Sequence, residues 1–195
     1  MRLEELIHQE ENIMPVESLS SFIQWLNKID NKFEKASIIQ PQTPKGQIVD
    51  ENTRRVKNFS LDVNSSSQTN THWCNFFGSV ILNLKNTYER KHKTNCSIGA
   101  INEITVLKYG QGGHYEFHTD HCRSIPRTLS VILFLNNDYE GGDLVFNHFN
   151  KNVELLRVKS PPPASAIIWP SNFMYPHKVE PITKGIRYSL VSWLL

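Results

Sequence analysis

Residues 104–120, ITVLKYGQGGHYEFHTD, read as extended chain bent at Gly110 to Gly113. Residues two apart on a strand share a face, so His118 and Asp120 aim an imidazole and a carboxylate at one point. Two of the three side chains of a metal site are then in place. A third ligand has to come from a second strand far along the chain, and His177 is the best candidate. Two histidines and one aspartate form the facial triad that leaves positions open on a non-haem iron.

Alone, His-x-Asp is a short pattern in a chain with 8 His and 19 Asp plus Glu, and a surface strand explains it as readily. Residues 177–193, HKVEPITKGIRYSLVSW, raise its weight. Arg187 stands ten residues after His177 on what reads as the next strand, with Ser189 on the same face. The pair offers a guanidinium fork and a hydroxyl to a carboxylate.

Outward from these segments, β-branched and aromatic residues alternate with Gly, Pro and Asn punctuation from Ile101 onward. Strands are predicted at 101–109, 115–120, 128–135, 143–146, 153–156, 166–169, 177–179 and 186–194. Upstream, Leu19, Phe22, Ile23, Trp25, Leu26 and Ile29 lie near helical spacing within 18–29. Phe76, Phe77, Val80, Ile81, Leu84 and Tyr88 form one stripe within 73–90, ending in a basic tail that suits helix carbonyls. Between the helices, short strands are expected near Ala36–Ile39 and within 53–63, then a polar loop at 64–71, and Arg54-Arg55 reads as solvated surface. Two helices followed by eight short strands give an α+β, mainly β fold, a jelly roll with N-terminal supporting helices. One domain is expected over 1–195, with 1–100 as helical support and N-terminal strands and 101–195 as the core.

At 195 residues, 39% hydrophobic and 21% charged, the chain has ordinary globular usage and length for one substantial core. A formal net charge of +2 is too small to indicate a nucleic-acid partner and does not exclude one. Cys74, Cys96 and Cys122 lack CxxC spacing, so free thiols in a reducing compartment are expected. The acidic N-terminal stretch has no apolar run of signal-peptide length, and no segment has the length of a membrane span. A soluble, cytoplasmic protein with no membrane partner is the expectation.

Tyr109, Gly112, Tyr115, His118, Asp120, then Gly141-Gly142-Asp143, His177, Arg187-x-Ser189 and Trp193, in this order and spacing, resemble the iron(II) and 2-oxoglutarate dependent dioxygenases of the prolyl 4-hydroxylase-like branch. The resemblance covers residues 47–195. It implies a double-stranded β-helix in which His118, Asp120 and His177 hold Fe(II) and form the catalytic centre. It also implies 2-oxoglutarate and O2 as co-substrates, with ascorbate as a candidate reductant, and oxidative decarboxylation to succinate and CO2 coupled to hydroxylation of a C–H bond. The far carboxylate of 2-oxoglutarate, too costly to bury unpaired, falls to Arg187 with Tyr109 and Ser189 as neutral donors.

Tyr115, Arg127 and Trp193 stand where relatives contact bound peptide, although turn packing, surface charge and core filling account for them too. An aromatic floor suits a proline ring. Peptidyl proline is therefore the leading substrate class, and a peptide or protein the expected partner. The same chemistry on another amino acid, a small molecule or a nucleobase is the alternative, and a non-catalytic jelly-roll binding module the second. The chain departs from the family at Arg187, where many relatives carry Lys, and at Phe134 and Leu144, where relatives supply a further hydroxyl. His114, His121 and His148 are not expected as ligands, and Asp143 is expected to shape its turn.

Overall fold

The computed structural model describes residues 2–39, 46–121, 126–151 and 153–195. Cys122 lies outside them. In chain order the strands are β1 (His8–Glu10), β2 (Glu34–Lys35), β3 (Ile38–Ile39), β4 (Gln47–Ile48), β5 (Arg54–Arg55), β6 (Lys57–Leu61), β7 (Ile101–Tyr109) and β8 (His114–His118). They continue as β9 (Leu129–Phe134), β10 (Glu140–Gly141), β11 (Leu144–Asn147), β12 (Glu154–Val158), β13 (Ser165–Pro170), β14 (His177–Val179), β15 (Ile182–Lys184) and β16 (Arg187–Leu194). Helices α1 (Val16–Lys28) and α2 (Gln68–His92) precede β7.

A seven-stranded antiparallel sheet, ordered β1-β13-β9-β16-β7-β6-β2, faces a five-stranded one, ordered β12-β11-β14-β8-β5. This is the jelly-roll sandwich read from the strand pattern. The larger sheet is covered on both faces, which explains why all six residues of β9, LSVILF, are buried. Alternation sorts them: Leu129, Val131 and Leu133 join Phe22, Leu26, Phe77 and Ile81 of the helices. Ile132 and Phe134 face the second sheet, in a cluster with Tyr109, Phe146 and Trp169.

Helix α2 begins at Gln68, so the last four residues of the expected loop at 64–71 form its first turn. Ser67 is the reason: its hydroxyl accepts from the Asn70 backbone N–H at 3.4 Å, the cap that polar residues favour. The other end stops at Lys93, whose φ of 50° breaks the helix after Arg90, Lys91 and His92. Three-residue β1, which pairs with β13 at the sheet edge, is too short to show a period. The pairs β3–β4 and β10–β15 add two small two-stranded sheets. Among the described residues, no helix is long and apolar enough to cross a membrane.

Strand β8 ends at His118 rather than Asp120. Beyond it the chain turns to meet the β13–β14 connection, where the His121 N–H donates to the Ser171 carbonyl at 3.0 Å. Strand periodicity thus sets His118, and this crossing sets Asp120.

Candidate metal centre and anion pocket

Strands β8 and β14 are neighbours in register, with His118 opposite His177. One donor atom from each of His118, Asp120 and His177 lies within 4.8 Å of the others. His118 Nε2 stands 3.6 Å from Asp120 Oδ1, and His177 Nε2 stands 3.6 Å from Asp120 Oδ2. Each ring's other nitrogen faces a carbonyl: His118 Nδ1 meets Glu116 O at 2.9 Å and His177 Nδ1 meets Tyr175 O at 3.1 Å. A carbonyl only accepts, so both Nδ1 atoms carry the proton and both Nε2 lone pairs turn to the shared point.

Burial drives the His118 imidazole down to about 3, with the neighbouring His177 adding to the effect, so the ring is neutral and available as a ligand. For Asp120, burial works to raise the carboxyl. His177, His118, the Ser130 hydroxyl and Arg127 together outweigh it and hold the group below its ordinary range. The carboxylate is steadied by Ser130 Oγ, which donates to Oδ2 at 2.6 Å and also contacts Ser171 Oγ at 2.7 Å. This two-serine support was missed from sequence, although one signal existed: Ser130 is the polar residue inside the apolar run of β9.

Deeper between the sheets, Arg187 is 1% exposed. Its Nη1 donates to Ser189 Oγ at 3.1 Å, as their shared face predicts. The guanidinium carbon lies 5.2 Å from the Tyr109 ring centre and 5.5 Å from that of Phe134. No carboxylate pairs with it among the described residues, and its Nε and Nη2 are buried without a hydrogen-bond partner. A buried cation with two unused donors has the form of an anion site awaiting its anion. Burial pushes the Tyr109 phenol up, so that group is a neutral donor beside the cation.

At the mouth, a cavity of about 600 Å³ reaches His118 and Asp120 and is walled by Arg54, Tyr115, Arg127 and Trp193. Tyr115 stacks on His118 with ring centres 3.6 Å apart. Arg127 lies 3.6 Å over the Trp193 ring and donates to the Asp120 carbonyl. All three expected substrate-side residues therefore meet at this cavity. Arg54 is not solvated surface: it packs 4.7 Å over Tyr115, and its Nη1 donates to Ser37 O at 2.8 Å. The short strand expected near Ala36–Ile39 contains β3, which with β4 forms another wall of this cavity, a role not assigned from sequence.

The remaining histidines stand apart from the triad. His114 bonds the carbonyls of Gly112 and Asn52, His121 that of Arg127, and His148 stacks on Phe149. Asp143 does more than shape a turn, because Arg157 donates to it at 3.0 Å on the outer side of the smaller sheet.

Two imidazoles and one carboxylate at the open end of a jelly roll, with a buried arginine behind them, are the donor set of a mononuclear, non-haem metal site. Residues 104–195 match the 2OG-Fe(II) oxygenase superfamily. A PKHD-type hydroxylase from Synechococcus sp. (strain JA-2-3B'a(2-13)) is 33% identical over 102 residues, covering 48% of this chain and 43% of that protein. Another, from Janthinobacterium sp. (strain Marseille), is 39% identical over 98 residues, covering 45% and 40%. The matched segment thus spans less than half the length of these relatives.

Two solved structures share the fold. A Pseudomonas putida prolyl-4-hydroxylase superimposes with a TM-score of 0.74 at 20% identity, covering 97% of this chain and 92% of that one. A Trichoplax adhaerens prolyl hydroxylase, solved with a hypoxia inducible factor peptide fragment, gives 0.73 at 16% identity, covering 97% and 83%. Over residues 104–195 the chain thus resembles the 2OG-Fe(II) oxygenase superfamily, and it shares its fold with the two solved prolyl hydroxylases.

Proposed function

We propose that this chain, as one dioxygenase domain, is an Fe(II)- and 2-oxoglutarate-dependent hydroxylase acting on prolyl residues of a peptide or protein. One observation carries the reading: three ligand atoms within 4.8 Å of one another, backed by a buried arginine with two unused donors. The donor set fits iron, since neutral imidazoles and a carboxylate suit a borderline divalent metal with open positions. His118, Asp120 and His177 would hold the metal. Arg187, with Ser189 and the neutral Tyr109 phenol, would hold the far carboxylate of the keto acid. When bound, Fe(II) with 2-oxoglutarate and O2 supplies the oxidising chemistry, with ascorbate as a candidate reductant. The protein orients the reactants and excludes water.

The aromatic walls formed by Tyr115 and Trp193 suit the flat, apolar pyrrolidine of proline. Hydroxylase relatives and prolyl hydroxylase neighbours favour the same class. Arg54 and Arg127, each stacked on one of those rings, would hold the peptide across the mouth. A reducing intracellular compartment fits the separated cysteines, of which Cys74 and Cys96 are free thiols.

The test is an anaerobic titration of the metal-free protein with Fe(II) and then 2-oxoglutarate, following the visible charge-transfer band of keto-acid chelation. The band is expected in the unsubstituted protein and absent, at the same concentration, in Arg187→Ala. Bound iron without a band sinks the reading. Turnover on a panel of proline peptides and single-stranded nucleic acids, followed by gain of one oxygen atom, tests the substrate class. Oxygen gain confined to nucleic acid overturns the prolyl assignment.

A further inference from the structure

Phe134, whose ring centre lies 5.5 Å from the Arg187 guanidinium, is buried and carries no hydrogen-bonding group. We propose that Tyr139, in the turn between β9 and β10, supplies a hydroxyl to this end of the interior and donates to the far carboxylate of 2-oxoglutarate beside Arg187. The inference rests on the Fe(II)/2-oxoglutarate reading above.

Tyr139 is 6% exposed, and its hydroxyl is buried with no hydrogen-bond partner among the described residues. A buried phenol usually finds one, because losing water without replacing it is unfavourable. Arg187 Nε and Nη2 are in the same condition. The two side chains also flank one glycine. Gly142 has a φ of 68°, and a Cβ built there would lie 3.1 Å from Arg187 Cδ and 3.4 Å from Tyr139 Cε2, while overlapping Ile182. The base of the same residue is also closely approached: a Cβ on Gly185 would lie 3.1 Å from Tyr139 Cα and 3.3 Å from its Cβ. The absence of a side chain at Gly142 therefore leaves room for the Tyr139 ring and the Arg187 stem around the same glycine.

Among the described residues, Arg54 Nε and the Trp193 and Trp169 indole N–H groups are also buried without a partner; the first two wall the cavity at the mouth, and Trp169 lies further in. Its ring centre lies 5.0 Å from that of His177, which sets it at the metal end. Tyr139 is a further neutral donor at the arginine end, in addition to Tyr109. An anion arriving there would accept from a guanidinium and a phenol, a charge-assisted arrangement that leaves fewer buried donors unpaired.

The test compares two keto acids on the iron-loaded protein under anaerobic conditions, 2-oxoglutarate and 2-oxobutyrate, which shares the chelating head and lacks the far carboxylate. Affinity is read from the charge-transfer band. Tyr139→Phe is expected to weaken 2-oxoglutarate by roughly tenfold and to leave 2-oxobutyrate unchanged. Adding Phe134→Tyr, whose new hydroxyl would sit near the same guanidinium, is expected to recover most of the loss. Unchanged 2-oxoglutarate affinity in Tyr139→Phe overturns the inference, and so does equal weakening of both keto acids, which marks a packing role. A missing band with 2-oxoglutarate in the unsubstituted protein overturns the Fe(II)/2-oxoglutarate reading itself and the inference with it.

Discussion

On the helix side of the seven-stranded sheet, Leu133 and Leu190 pack against Phe22 and Phe77, all fully buried, in a layer that is almost entirely apolar. On the other side the same two strands present Ser130, Arg187 and Ser189, also buried, into a space that holds the histidine–aspartate cluster. Burial is equal on the two faces, and its consequences are not. Apolar contact stabilises the first face in proportion to area removed from water. The second face buries a cation and leaves its donors unused, which costs stability until a ligand arrives. The sheet thus separates a face that supports the fold from one held ready for chemistry.

The largest effect that sharpens this contrast is expected at Phe77, whose ring centre lies 4.6 Å from that of Phe22. Phe77→Ala should cost about 3–5 kcal/mol in denaturant unfolding, while the protein that remains folded binds Fe(II) with unchanged affinity. A parallel fall in iron affinity would break the separation of the faces. Arg187→Met should show the reverse pattern. Affinity for 2-oxoglutarate falls by about 100-fold through lost charge-assisted bonds, while the thermal midpoint of the ligand-free protein stays or rises. A midpoint lowered as far as in Phe77→Ala would show that Arg187 supports the fold.

Smaller still is the change expected from Ser130→Ala, which removes the 2.6 Å bond to Asp120 Oδ2 and leaves the carboxylate free to turn. Loss of such an outer partner typically weakens metal binding about 10–100-fold. An Fe(II) titration measures it, and unchanged affinity would mean that packing alone orients Asp120.

Much of this division was legible in sequence because it follows period. The stripes of α1 and α2 and the alternation in β7, β9 and β16 are long enough to show which residues share a face. His118, Arg187 and Ser189 could be placed by the same rule, and His177 by the need for a third ligand from a distant strand. Asp120 was assigned to a strand that had already ended, and its position depends on a backbone crossing with Ser171 that no local pattern encodes. Arg54 reads as solvated surface and Tyr139 as part of a turn from sequence, since each owes its place to a neighbour distant in sequence: Ser37 and Tyr115 for the first, Gly185 and Gly142 for the second. Ser67, in turn, extended a helix into a segment whose composition reads as loop.

The smallest expected effect comes from a second arginine, on the outer side of the smaller sheet. Arg157 donates to Glu154 at 2.7 Å, Asp143 at 3.0 Å and Glu180 at 2.7 Å, so it has the carboxylates that Arg187 lacks. Hydrogen bonds from Arg157 hold the Glu154 and Glu180 carboxyls below their ordinary range. A carboxyl depressed in the folded state stabilises it above the unfolded value, about 4.3 for Glu, and the contribution disappears as pH falls through the depressed folded value. The difference in thermal midpoint between the unsubstituted protein and Arg157→Ala should therefore be small at neutral pH and vanish in acid. It should also shrink in high salt, because these groups are solvent-accessible and screened. Adding 2-oxoglutarate should leave this difference unchanged, whereas it should raise the midpoint of the unsubstituted protein over that of Arg187→Met. If the keto acid altered the Arg157 difference as well, the outer charge cluster would be coupled to the interior one, and the two arginines would no longer mark independent regions.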